Sequence, residues 1–186
     1  VRLLSHSGGA QVPHVAVVTA VGGITMRETG SLLGDTDGIT ERRLGKQLFE
    51  LQQDDSVKAV VLRIDSPGGS VLASDLLWHA LLRLRQVKPV VVSIGGMAAS
   101  GGYYLACAGT KVVAERVSII GSIGVVAGKL SFATSLETIG IHVEPVPAKP
   151  GHARALYGSP LSPWDEATSA RVLSAIEDAL GIHLAR

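Results

Sequence analysis

The chain has 186 residues, 46% of them apolar and 4% aromatic, with 22 glycines and a formal net charge of +1. That length supports one domain with a full core, and a charge so near zero, with no basic patch interleaved with aromatics, leaves no electrostatic case for nucleic acid. The single cysteine excludes an internal disulfide, no run approaches the length of a membrane span, and no two His or acidic residues fall at ligand spacing on a shared element, so no metal or other cofactor is expected.

In chain order, strands and helices alternate. A strand is predicted over 14–19, followed by a glycine-rich stretch at 30–38. A helix near 40–52 comes next, with Leu44, Leu48 and Leu51 on one face. Residues 57–65, rich in branched apolar side chains, read as a buried strand entered from the polar 52–56. The strand ends in Ser66-Pro-Gly-Gly-Ser70, and a helix over 70–86 starts at once, carrying Val71, Leu72, Leu76, Leu77, Leu81 and Leu84. Ser66 and Ser70 read as turn and cap, Asp65 as a carboxylate capping the Pro67 turn, and His79 as an exposed-face residue. Arg83, Arg85 and Lys88 read as a solvated helix end.

A second unit repeats the pattern, with a strand at 89–94, a glycine turn and a helix at 100–109 that holds Cys107 as a packed thiol. A short strand at 111–114, a turn at Gly121, a helix over 130–139 and a strand at 141–146 follow. The proline-rich 147–163 is the most loop-like part. Ser162-Pro-Trp-Asp165 opens a last helix, with the serine as cap, running through Val172, Leu173, Ile176, Ala179 and Leu180. Strands alternating with helices predict an α/β fold with a mostly parallel sheet flanked by helices.

Chemistry concentrates in Gly95-Gly-Met-Ala-Ala-Ser100-Gly-Gly-Tyr-Tyr104. A serine sits where an apolar strand stops and a helix opens, a position that suits both a helix cap and an exposed nucleophile. Two successive strand-turn-helix units, with Ser100 on the second, favour the second use. An amide near Gly69 can pair with that of Gly101 to stabilise an oxyanion formed on attack by Ser100.

These segments, together with Val61-Leu-Arg-Ile-Asp-Ser-Pro-Gly-Gly-Ser70 and Gly121-Ser-Ile-Gly-Val125, resemble the signal peptide peptidase A family in order and spacing, over roughly residues 13–160. The resemblance implies a crotonase-like, Clp-protease-like α/β fold and a serine peptidase with a lysine general base. By that resemblance Ser100 is the nucleophile, the amides of Gly69 and Gly101 form the oxyanion hole, and Ser122 hydrogen-bonds the lysine. It also implies a peptide substrate, such as remnant signal peptides or other membrane-derived peptides, and assembly into oligomers.

A serine hydroxyl needs a neighbour to take its proton. The first histidine after Ser100 is His142, beyond the Gly121 turn, which argues against a Ser-His-Asp triad. The loop that matches the family's base position is Val146-Pro-Ala-Lys-Pro-Gly-His-Ala-Arg-Ala155. Lys149 is its only lysine, sits a few residues early between two prolines, and is the internal candidate for the base. Ungapped matching puts His152 at that position and a small gap puts Arg154 there, and arginine cannot deprotonate at working pH.

Long members of the family hold two tandem copies, with the lysine on the first and the serine on the second. This chain resembles the second copy, so the base is expected either from Lys149 or from outside residues 1–186. The absence of an initiator methionine at Val1 and the stop inside a helical pattern at Arg186 add to the expectation of a single peptidase-type domain belonging to a longer chain. The longer parent is expected to be membrane-associated by family resemblance. Two other classes stay open: a crotonase-type acyl-thioester enzyme using the same paired amides, and a non-catalytic scaffold half of a peptidase assembly.

Overall fold

Branched apolar residues at alternating positions organise the larger part of the computed structural model, which describes residues 12–27, 38–143 and 158–185. The elements run β1 (His14–Val21), β2 (Ile24–Thr25), β3 (Ile39–Thr40), α1 (Glu41–Gln53), β4 (Val57–Ser66) and α2 (Val71–Val87). They continue with β5 (Val90–Ala99), α3 (Gly101–Ala106), β6 (Lys111–Val113), β7 (Ile119–Gly121), α4 (Ala133–Thr138) and α5 (Glu166–Leu184). Val1–Gly124 with His183–Arg186 forms one compact unit and Val125–Ile182 a second.

The first unit is built on a five-stranded sheet in the order β1-β4-β5-β6, with β7 pairing the far end of β5, and every pairing is parallel. Register aligns Ala16 with Val60 and Val90, Val18 with Leu62 and Val92, and Ala20 with Ile64 and Ile94. All nine are buried, so one face of the sheet meets the helices. Leu44, Leu48 and Leu51 of α1 join Leu77, Leu81 and Leu84 of α2 and Leu105 of α3 in the same core cluster. Each buried leucine contributes about 1.5–3 kcal/mol over leaving it in water. The alternate positions point away from that core: Val15 and Val17 are exposed and Val61 only partly covered. Strand β4, read as a buried strand, is buried along one face and partly covered or exposed on the other.

The described ends of the predicted elements shift by only a few residues, with physical reasons where they shift more. β5 does not stop at residue 94 but runs on through Gly95 and Gly96 to Ala99. Lys88 is not solvated: it is buried, and its ammonium donates to the carbonyl oxygens of Leu51 and Asp54. The last turn of α1 has no basic residue of its own, so Lys88, arriving from the end of α2, satisfies carbonyls the helix leaves unpaired. Arg85 donates to the carbonyls of Ala108 (3.1 Å) and Gly109 (3.3 Å) in the turn that follows α3. Ser70 caps α2 as expected, its hydroxyl accepting from the Ala73 amide at 3.3 Å.

In the second unit, the Phe132 amide donates to Pro160 O at 2.8 Å, and the Lys129 ammonium to Ser159 O at 3.1 Å. The α5 cap is Asp165 rather than Ser162: its carboxylate accepts from the Thr168 amide at 2.7 Å, a bond that holds its pKa below the ordinary value. Asp reaches the third amide at the position where the helix starts, whereas Ser162 stands one turn early. Residues 141–143 of the predicted strand at 141–146 are not in a strand, and the remainder lies outside the described residues.

Candidate active site

Ser100 ends β5 and opens α3 with φ 51° and ψ −116°, one of two positive-φ non-glycine residues among those described. For a side chain with a Cβ this conformation costs about 1–3 kcal/mol and persists only where surrounding bonds impose it. Those bonds are visible. The Ser100 amide donates to Gly121 O at 2.9 Å, and its carbonyl accepts from the Tyr104 amide at 2.9 Å. Although Ser100 occupies the cap position of α3, its hydroxyl makes no capping bond. The side chain is thereby left for another use, and the helix-cap alternative does not describe it.

The turn after β4 lies directly against this junction. Gly68 has φ 95°, and a Cβ there would fall 2.7 Å from the Gly101 nitrogen and 2.8 Å from the Ser100 Cβ. Only a residue without a side chain lets the two turns come so close. The turn is held from its other side by β2, where the Ile24 amide donates to Gly68 O and the Ser70 amide to Ile24 O, both at 2.8 Å. Ser66, fully buried, donates to Gly22 O at 2.7 Å and accepts from the Gly68 amide at 3.1 Å. The Tyr104 hydroxyl donates to the Asp75 carboxylate at 2.6 Å and so ties α3 to α2.

Four of the five residues singled out in the sequence thus converge. Gly69 follows Gly68 in the turn, Gly101 follows Ser100, and Ser122 follows Gly121, whose carbonyl holds the Ser100 amide. Ser122 is exposed and carries the second positive φ, 52°. Lys149 lies outside the described residues, as do His152 and Arg154. Among the described residues no Lys or His side chain hydrogen-bonds the Ser100 hydroxyl, and no cluster of His, Cys, Asp or Glu has a metal-binding arrangement.

Asp65 does not cap the Pro67 turn; its carboxylate accepts from the amides of Gly96 (3.0 Å) and Met97 (3.1 Å) on the neighbouring strand. Strand β7 and its Gly121 carbonyl are too short to read by periodicity. Cys107 is half-buried, and burial raises its thiol pKa, which suits packing rather than reaction. His79 Nε2 lies 3.7 Å from the Asp75 carboxylate one turn before it on α2, and its ring sits edge-on to Trp78.

The family model described as Peptidase family S49 matches residues 83–181, which include the Ser100 junction and the Gly121 turn. The chain belongs to peptidase family S49. A second model, described as Clp protease, matches residues 28–128, in keeping with the Clp-protease-like, crotonase-like α/β arrangement of parallel sheet and helices. The chain is 39% identical over 132 residues to the chloroplastic serine protease SPPA of Arabidopsis thaliana, covering 71% of this chain and 19% of that protein. It is 40% identical over 139 residues to Protease 4 of Salmonella typhi, covering 73% and 21%. The chain therefore spans about a fifth of the length of these curated relatives. A solved ClpP1 mutant from Listeria monocytogenes is 23% identical, with a TM-score of 0.39 over 50% of this chain and 46% of that one.

Proposed function

We propose that the chain carries the nucleophile of a serine peptidase that hydrolyses peptide bonds by acyl transfer through Ser100. The carrying observation is the strained backbone of Ser100, held by Gly121 O and the Gly68 turn while the hydroxyl makes no cap. The hydroxyl oxygen attacks a peptide carbonyl carbon as its proton passes to a lysine amine. The amine then gives that proton to the leaving nitrogen, and water repeats the sequence on the ester. The amides of Gly69 and Gly101 stabilise the carbonyl oxygen as it becomes an oxyanion, and removing one such donor costs about 10²–10³ in rate.

Lys149 is the internal choice for the base, with the Ser122 hydroxyl orienting its amine; a lysine from another part of a longer chain is the other choice. The substrate class is peptides, remnant signal peptides and other membrane-derived peptides among them, and no cofactor takes part. The test is labelling with a fluorophosphonate, which reacts with activated serines, followed by mapping of the modified peptide. Modification at Ser100, lost in Ser100→Ala, supports the reading. An unlabelled but folded protein with acyl-thioester hydratase activity would instead put the chain among crotonase-type enzymes.

A further inference from the structure

We propose that Asp65 is a positioning residue for Ser100, acting through the backbone of β5. The inference rests on reading Ser100 as the nucleophile. Strands β4 and β5 run in register up to Ile64 opposite Ile94, and the next pair is Ser66 opposite Ala98. β5 therefore spends four residues where β4 spends two. Extra residues in a ladder bend the strand and displace backbone amides from their ladder partners. The Asp65 carboxylate supplies partners at that point, one oxygen accepting from Gly96 N and the other from Met97 N. Hydrogen bonds to an ionised acceptor are about twice as strong as neutral ones.

The fit is tight on both sides. A Cβ on Gly95 would lie 2.6 Å from an Asp65 carboxylate oxygen, so the bulge closes over the carboxylate only with glycine there. Beyond the bulge, Met97, Ala98 and Ala99 pair with Ile119, Ile120 and Gly121 of β7, and the chain enters Ser100. The Ser118 hydroxyl secures the start of the bulge by donating to Gly95 O at 2.7 Å. The Asp65 carbonyl accepts from Gly22 N at 2.9 Å, and the next four residues form the turn that packs on Ser100. One residue thus ties the strand that delivers the nucleophile to the turn that lies beside it. With both oxygens engaged by backbone amides and no described Lys or His paired with it, Asp65 orients a backbone rather than a base.

The experiment compares wild type with Asp65→Ala, Asp65→Asn and Gly95→Ala by amide hydrogen exchange and by the rate of fluorophosphonate labelling. In Asp65→Ala and Gly95→Ala, exchange is expected to quicken at Gly96, Met97, Ser100 and Gly101 while Leu62 and Val92 keep their protection. Labelling at Ser100 is expected to slow about 10²-fold, the cost of misplacing a reacting group by about 1 Å. Asn keeps one acceptor oxygen but sets an NH2 donor against the other amide, so Asp65→Asn should quicken exchange at one of Gly96 and Met97 and slow labelling at Ser100. Unchanged exchange at Gly96 and Met97 in Asp65→Ala overturns the proposal. So does faster exchange there with labelling at the wild-type rate. If wild type itself is not labelled, the nucleophile reading fails, and exchange at Ser100 and Gly101 alone decides whether Asp65 holds the junction.

Discussion

At Ser100 a single hydroxyl is held by backbone bonds rather than by its own contacts, and this separates stability from activity. Ser100→Ala removes no structural hydrogen bond, so its thermal midpoint should stay within about 2 °C of wild type. Peptidase activity in the complete protein should fall by at least about 10³-fold. Retained activity would remove Ser100 from the mechanism. Gly68→Ala should behave in the opposite way. Its Cβ meets Gly101 N and Ser100 Cβ, and its φ of 95° already strains any side chain. Overpacking and backbone strain together predict a loss of about 2–4 kcal/mol, measured by denaturant unfolding. At Cys107, burial raises the pKa, so the thiol stays protonated through neutral pH. Alkylation by iodoacetamide should therefore set in at higher pH in the folded protein than in urea. Equal onset in both would show the thiol to be exposed.

The elements owe their positions to bonds made across the sequence as much as to their own patterns. Helix α1 was legible from Leu44, Leu48 and Leu51, whose spacing puts them on one face whatever the helix packs against. The group that satisfies its end was not legible, because the cation bonded to its carbonyls is Lys88, thirty-seven residues from Leu51. Lys88→Met keeps the apolar stem but leaves the Leu51 and Asp54 carbonyls without that donor. A loss of about 2–3 kcal/mol is expected, seen as a thermal midpoint about 5–10 °C lower. An unchanged midpoint would mean that water replaces the ammonium at no cost. Strand β5 shows the same division. Gly95 and Gly96 look like a strand end by composition, yet the strand continues because Asp65 on the neighbouring strand supplies the partner their bulge needs.

For the whole molecule, apolar surface is the quantity that a single chain leaves unresolved. On the outward face of β1, Val15 and Val17 are 55% and 52% exposed, and on α2 Leu72 is 58% exposed. Association would cover such apolar surface, so sedimentation at micromolar concentration should show species larger than the 19.3 kDa chain. A monomer alone would count against it. No described helix is long and apolar enough to cross a membrane. The source of the base is also decided at this scale. If Lys149 supplies it, Lys149→Ala should abolish hydrolysis both in this chain and in any longer form. Activity kept by the longer form would assign the base to another segment.

The sequence by itself determined the α/β class, the helices and longer strands of the first unit, and the two glycine turns that mark the site. Periodicity and turn chemistry are local, and each of these features is written within about ten consecutive residues. Only the tertiary structure decided which face of the sheet is buried, where β5 bends, and that the Ser100 hydroxyl is left out of the helix cap. Those outcomes depend on Gly68 meeting Gly101, Asp65 reaching Gly96, Gly121 holding Ser100 and Lys88 reaching Leu51. Such contacts join residues tens of positions apart, and no local pattern encodes the geometry in which they meet.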